Sequence, residues 1–243
     1  RGMSLAGAVA LGLFFVCMEG TIMRILLGAA GGKSGLLTCI SYSFLGFFYS
    51  GITPSATGGQ PMQLYEMKRD GNSVSSSTVV LMVTAVCYKL VLVCIGTFLL
   101  IFQGKMLRQY LGGYFGLYLL GLFLNLAITL VVTGMIVLPQ WIIAGANVFD
   151  RLFVKMHLWK ASGSVGRQEK VRCFVQEYHR AVLFLKEHPG RLAAAFSLTF
   201  VQRNSAFVIT WLVYCGMGLF GTNLWSVVFL QAAVTLAVDM LPV

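Results

Sequence analysis

Charge is what this sequence has least of. Only 11% of its 243 residues are Asp, Glu, Lys or Arg, where soluble domains carry roughly 25%. That shortage excludes most soluble classes. Acidic residues are the scarcest, 8 against 18 Lys and Arg. Metal chemistry and catalysis also lack material. The three histidines, His157, His179 and His188, all fall in one basic stretch. The six cysteines form no CxxC pair and, Cys173 apart, sit in apolar segments, so they read as small buried hydrophobes. No HExxH or paired-carboxylate motif occurs. Neither a cofactor, a metal nor a catalytic constellation is expected, and whether the whole protein is an enzyme stays open.

What is present is hydrophobic. Apolar residues make up 58% of the chain and mean hydropathy is +0.81. Several windows reach the roughly 17–25 apolar residues a bilayer crossing needs. The fold class is therefore all-α: a polytopic integral membrane protein with about six crossing helices plus broken or re-entrant elements. Nine of the 18 basic residues lie between Arg151 and Arg191. Such an excess marks a cytoplasmic loop facing an anionic membrane surface. Apolar residues interleave with these charges as on an amphipathic helix, which argues against nucleic acid as a partner.

The stretch Ile52–Gln63, ITPSATGGQPMQ, stands between two strongly apolar segments. Pro54 and Pro61 cannot donate backbone hydrogen bonds, and Gly58-Gly59 disfavours a continuous helix. In so hydrophobic a chain this reads as a broken or re-entrant element, continuing as a half-helix over Met62–Lys68. Such backbone persists at membrane depth only where protein buries it or it lines a polar cavity, and it often marks a transporter's substrate path. The plain alternative is a surface loop.

Other elements follow in order. A first helix spans about Ser4–Gly28 and carries Glu19 and Arg24, too far apart for ideal i,i+4 pairing. GAAGGKSG at Gly28–Gly35 imitates a P-loop, but the required first glycine position holds Leu27; it reads as an interhelical turn with Lys33 at the membrane surface. Ser34–Ser50 is a second helix. Ser75–Thr78 offers N-caps for a helix to about Phe102, with Lys89 near its middle, where a lysine is expensive unless paired or hydrated. Gln103–Tyr110 reads as a basic loop and Gly113–Leu138 as a crossing containing Asn125. Trp141–Trp159 is amphipathic, Lys160–Gln168 linker-like, and Glu169–Glu187 a charged helix with Phe174, Tyr178, Val182 and Leu185 at helical spacing. Arg191–Leu219 is a crossing interrupted by Gln202-Arg203-Asn204, and Asn223–Leu241 is the last apolar segment.

An internal repeat is suggested. The first helix and the Arg191 helix each carry an arginine, and each is followed by a glycine turn, a short apolar helix and a proline. If the broken element returns to one side, Arg1, Lys68-Arg69 and the large loop share that side, Lys33, Lys105 and Arg108 lie opposite, and the repeats are parallel. The first residues show no cleavable signal pattern. The last ones stop within an apolar stretch, so the chain is expected to be part of a longer one.

The order Pro54-Ser-Ala-Thr-Gly58-Gly59-Gln60-Pro61, then Leu64, Lys68-Arg69 and Gly71, resembles the lysylphosphatidylglycerol synthase transmembrane, or flippase-like, family, which includes the bacterial multiple peptide resistance factors. Arg203 and Asp239-Met-Leu-Pro242 resemble the start of that family's second signature, a Pro-Gly-Gly-x-Gly-x-x-Glu element whose remainder is not in the chain. The resemblance implies one flippase-like transmembrane domain over residues 1–243, incomplete at its C-terminal end, with 140–190 a basic cytoplasmic or interfacial insertion. It implies movement of an aminoacylated phospholipid between leaflets of a bacterial plasma membrane, in the service of resistance to cationic peptides. The implied partners are the phospholipid substrate and membrane lipids, with a homodimer left open. Substrate-binding candidates are Pro54, Thr57, Gly58, Gly59, Gln60, Pro61, Glu66, Lys89, Arg203 and Asp239. On this reading the broken backbone, Arg203 and Lys89 meet the phosphate, and Asp239 or Glu66 meets an ammonium. Three alternatives stand beside it: a membrane scaffold whose basic loop docks a partner, an integral membrane enzyme acting on lipids, and the membrane part of a bifunctional lysyltransferase.

Overall fold

The computed structural model describes residues 2–138, 164–219 and 221–239. Among them the regular structure is all helical: α1 Gly2–Ala29, α2 Leu36–Ile52, a 3-10 turn Pro54–Ala56, α3 Gly59–Arg69, α4 Val74–Phe102, α5 Gly104–Leu111, a second 3-10 turn Gly112–Tyr114, α6 Phe115–Val137, α7 Ser164–Lys186, α8 Pro189–Gly216 and α9 Leu224–Val238. Four runs are long and apolar enough to cross a membrane: α1, α4, Gly104–Val137 and α8. The apolar helices α2 and α9 are shorter, at 17 and 15 residues. Many large apolar side chains on the outside, among them Leu13, Phe48, Phe123 and Val131, are exposed, as suits a surface in contact with hydrocarbon.

α1 and α8 pack antiparallel along their lengths. At one end Arg191 comes within 3.5 Å of where a Cβ on Gly28 would stand; at the other, Leu212 does the same for Gly7 and Leu5 approaches Gly216. α2 follows α1 through a turn but does not complete a crossing. It breaks at Thr53, and α3 runs back beside it. Both ends of this hairpin lie together: the Lys33 N–H donates to Asn72 Oδ1 at 3.2 Å, Asn72 Nδ2 donates to Ser34 Oγ at 3.0 Å, and the Tyr42 hydroxyl donates to Asp70 Oδ2 at 2.6 Å. The element is re-entrant, as its prolines and glycines imply. The two arms touch because two glycines let them. A Cβ on Gly59 would stand 2.1 Å from Ser50 Oγ and 2.7 Å from the Gly46 carbonyl, and one on Gly46 would stand 2.1 Å from Gln63 Nε2.

This geometry corrects the expected sidedness. The hairpin is built from α2 and α3 together, so Lys33 shares a side with Lys68 and Arg69. α7 joins them, with Ser75 Oγ 3.1 Å from Glu177 Oε2 and 3.3 Å from the Phe174 carbonyl. The start of α1, at Gly2, lies at the opposite end, with Lys105 and Arg108 at the far end of α4. The two suggested repeats are therefore inverted, not parallel. α1 leads into the hairpin from the basic side, and α8 leads into α9 from the other.

Three local expectations also change. Gln103–Tyr110 is not a loop but mostly α5, because Leu107 buries against the core while Lys105 and Tyr110 face out. The α4 cap is Ser73, whose Oγ accepts from the Ser76 N–H at 3.1 Å, and the helix starts at Val74, ahead of the serines expected to cap it. The linker-like stretch gives way to α7 from Ser164; residues 160–163 and Trp141–Trp159 lie outside the described residues. α7 buries the expected face, with Tyr178, Val182 and Leu185 inside and Phe174 packed beside them.

The apolar core falls into two clusters. One joins Ile22, Leu26, Val79, Val83, Tyr178 and Ala195 on the basic side. The other joins Leu92, Leu99, Tyr118, Phe207 and Leu236. Along α4 the division falls between Cys87 and Leu92, and along α8 between Ala195 and Phe207. The layer between the clusters holds the polar residues.

Candidate functional site

Phe15, Tyr88 and Arg203 sit near the midpoints of α1, α4 and α8. The Arg203 guanidinium carbon lies 4.0 Å from the Tyr88 ring centroid and 4.9 Å from that of Phe15. A cation this close to aromatic rings is attracted to their faces, but the rings offer no oxygen or nitrogen acceptor for its N–H groups at that face. Nε is buried and has no hydrogen-bond partner among the described residues.

The same guanidinium lines a cavity of about 420 Å³ with Glu19, Gly46, Ser50, Thr57, Gln60 and Gln63. The hairpin turn supplies one wall, and its shape depends on Thr53. That hydroxyl donates to the Tyr49 carbonyl at 2.7 Å and accepts from the Gly58 N–H at 2.9 Å. One side chain thus ties the last turn of α2 to the residue before α3. Ala56 completes the turn at φ 54°, a left-handed conformation costly for a residue with a Cβ. The first N–H groups of α3 have no partner within their own helix.

Glu19 projects into the cavity from α1. Gln202 Nε2 donates to its Oε2 at 3.2 Å and lies 3.0 Å from the Phe15 carbonyl. Glu19 and Arg203 are thus opposite charges lining one cavity, and among the described residues neither forms an ion pair.

A second polar group meets the Tyr88 hydroxyl. Asp239, at the end of α9, accepts from the Tyr88 hydroxyl and from Lys89 Nζ. Both charged side chains are largely buried, 15% exposed for Lys89 and 11% for Asp239.

The expected site residues therefore separate into groups. Thr57, Gly59, Gln60, Pro61 and Arg203 line one cavity. Pro54 and Gly58 shape its turn: the Pro54 carbonyl accepts from the Thr57 N–H and hydroxyl. Lys89 and Asp239 are partners of each other, one ring away from the cavity. Glu66 is buried in α3 and paired with Arg69 at 2.7 Å, outside the cavity lining. Sequence reasoning missed Glu19, Ser50, Gln63, Gln202, Thr53 and Tyr88 as members of the site. Glu19 carried a usable signal, a lone carboxylate within an apolar run. The others are ordinary polar residues that gain meaning only by position.

Fold and site together define a polytopic helical membrane protein with a polar cavity at the depth of its helix midpoints. The chain belongs to the family described as the lysylphosphatidylglycerol synthase TM region, whose model matches residues 2–243. Membership ties it to a function in membrane-lipid biology. No curated protein and no solved structure matches the chain.

Proposed function

We propose that this chain is a lipid flippase module, moving an aminoacylated phospholipid such as lysylphosphatidylglycerol between leaflets of the bacterial plasma membrane. The observation that carries the reading is Arg203: a cation at the middle of a crossing helix that lines a cavity and, among the described residues, forms no ion pair. A phosphate is a natural acceptor for it. The Gln60 side chain and the N–H groups of Gly59 and Gln60 add donors at the positive end of the α3 dipole. Acyl chains stay in lipid while the headgroup passes through the polar layer, which shortens the roughly 30 Å of hydrocarbon it must otherwise cross. The basic side, with Lys33, Lys68, Arg69 and α7, is the cytoplasmic one by the distribution of Lys and Arg. Lys89 and Asp239 set the local field and hold α9 at the site's edge.

The test is leaflet-resolved transfer of labelled lysylphosphatidylglycerol in reconstituted vesicles. Wild-type protein accelerates transfer over empty vesicles, and Arg203→Ala removes most of the gain. No acceleration by folded wild-type protein would sink the reading and favour a scaffold that docks a partner through its basic loop.

A further inference from the structure

We infer that Glu19 is a specificity-determining residue of this cavity, selecting headgroups that carry an ammonium together with their phosphate and rejecting those with a phosphate alone. This rests on the phosphate-at-Arg203 reading above, and adds to it a second subsite on a different helix.

The cavity is lined by one cation, Arg203, and one anion, Glu19. Among the described residues Arg203 is the one charged side chain that lines the cavity with Glu19, and the hydrogen-bond partner of Glu19, Gln202 on α8, is neutral. The further charges, Lys89 and Asp239, pair with each other. With Glu19 as a carboxylate, the charges lining the cavity balance. A headgroup bringing only a phosphate leaves one negative charge uncompensated in a poorly solvated place, which is costly. A headgroup bringing a phosphate and an ammonium restores the balance, with the phosphate on the rim of Arg203 and the ammonium on Glu19. Glu19 has room for it. Gln202 occupies one oxygen, and a carboxylate offers about four acceptor positions. Asp239 and Glu66, the other buried carboxylates near the hairpin and α9, already hold Lys89 and Arg69.

Short-chain alanylphosphatidylglycerol, which carries one ammonium and one phosphate, and its N-acetylated form differ by that single ammonium charge while keeping the phosphate. Their affinities for the purified full chain are compared by calorimetric titration, and their long-chain forms by vesicle transfer. Wild-type protein prefers the charged form by about tenfold or more, the scale of a charge-assisted contact. Glu19→Gln brings the ratio to one or below, because the phosphate of the acetylated lipid then balances Arg203 and that lipid binds better, Glu19→Asp keeps part of the preference, and Arg203→Ala weakens both lipids. An unchanged ratio in Glu19→Gln overturns the inference, as does equal binding of the two lipids by wild type. If Glu19→Gln does not fold, Glu19→Asp decides: a ratio identical to wild type counts against Glu19. Absence of transfer with selective binding intact overturns only the flippase reading.

Discussion

Two groups of charge meet at Tyr88, one at its ring and one at its hydroxyl, and they are built on opposite plans. At the α9 end, Lys89 and Asp239 satisfy each other, and the tyrosine hydroxyl adds a further bond. At the hairpin turn, Glu19 and Arg203 line one cavity and, among the described residues, neither forms an ion pair. A closed pair fixes one element against another. An open pair leaves binding capacity for a ligand. The contrast separates a pair that is satisfied within the fold from two charges that are not paired, although all of them are rare charges in apolar helices.

The comparison breaks most readily at the closed pair. Asp239→Ala leaves Lys89 buried without its partner and should cost about 3–5 kcal/mol, read as a lower unfolding midpoint of the detergent-solubilised protein. Replacing both, Lys89→Met with Asp239→Leu, should recover most of that loss. If the double variant is as unstable as the single one, the pair does more than fix α9. Next is Gly59→Ala, whose Cβ meets Ser50 and the Gly46 carbonyl. It should destabilise by about 1–3 kcal/mol and also reduce lipid transfer, because the α2–α3 contact forms a cavity wall. Thr53→Val keeps the shape and loses the hydroxyl, so about 1–2 kcal/mol is expected, with transfer reduced and the ratio between charged and acetylated lipids retained. The smallest effect is Ala56→Gly, which relieves the left-handed turn and should stabilise by less than about 1 kcal/mol. A loss of stability there would show that the Ala56 methyl group packs in the turn.

Much of the architecture was legible because it rests on local chemistry. Pro54, Gly58-Gly59 and Pro61 announce the broken element, since proline removes donors and glycine weakens a helix wherever they stand. Lys89 and Arg203 announce themselves as charges in apolar runs. What stayed hidden depends on pairs far apart in the chain. That α2 turns back is settled by Tyr42 with Asp70 and by Lys33 with Asn72; at 17 residues its length suits a crossing as well as a half-hairpin. Reading it as a crossing reversed the parity of every later turn, which is why the repeats appeared parallel. The bond between Lys89 and Asp239 joins residues 150 apart in the chain, and no local pattern reports it. α5 was mistaken for a loop because eight residues give too short a window for periodicity.

The entry of the hairpin from one face and of α9 from the other has an electrical consequence. Polar groups brought from both faces toward the midpoints of the long helices narrow the low-dielectric span across which a membrane potential falls. The local field steepens as the span shrinks. A full crossing at 100 mV is worth about 2.3 kcal/mol per elementary charge, and here much of that work would be done over the short distance around Arg203. Voltage then acts mainly on charge that moves within this layer and only weakly on charge elsewhere across the protein.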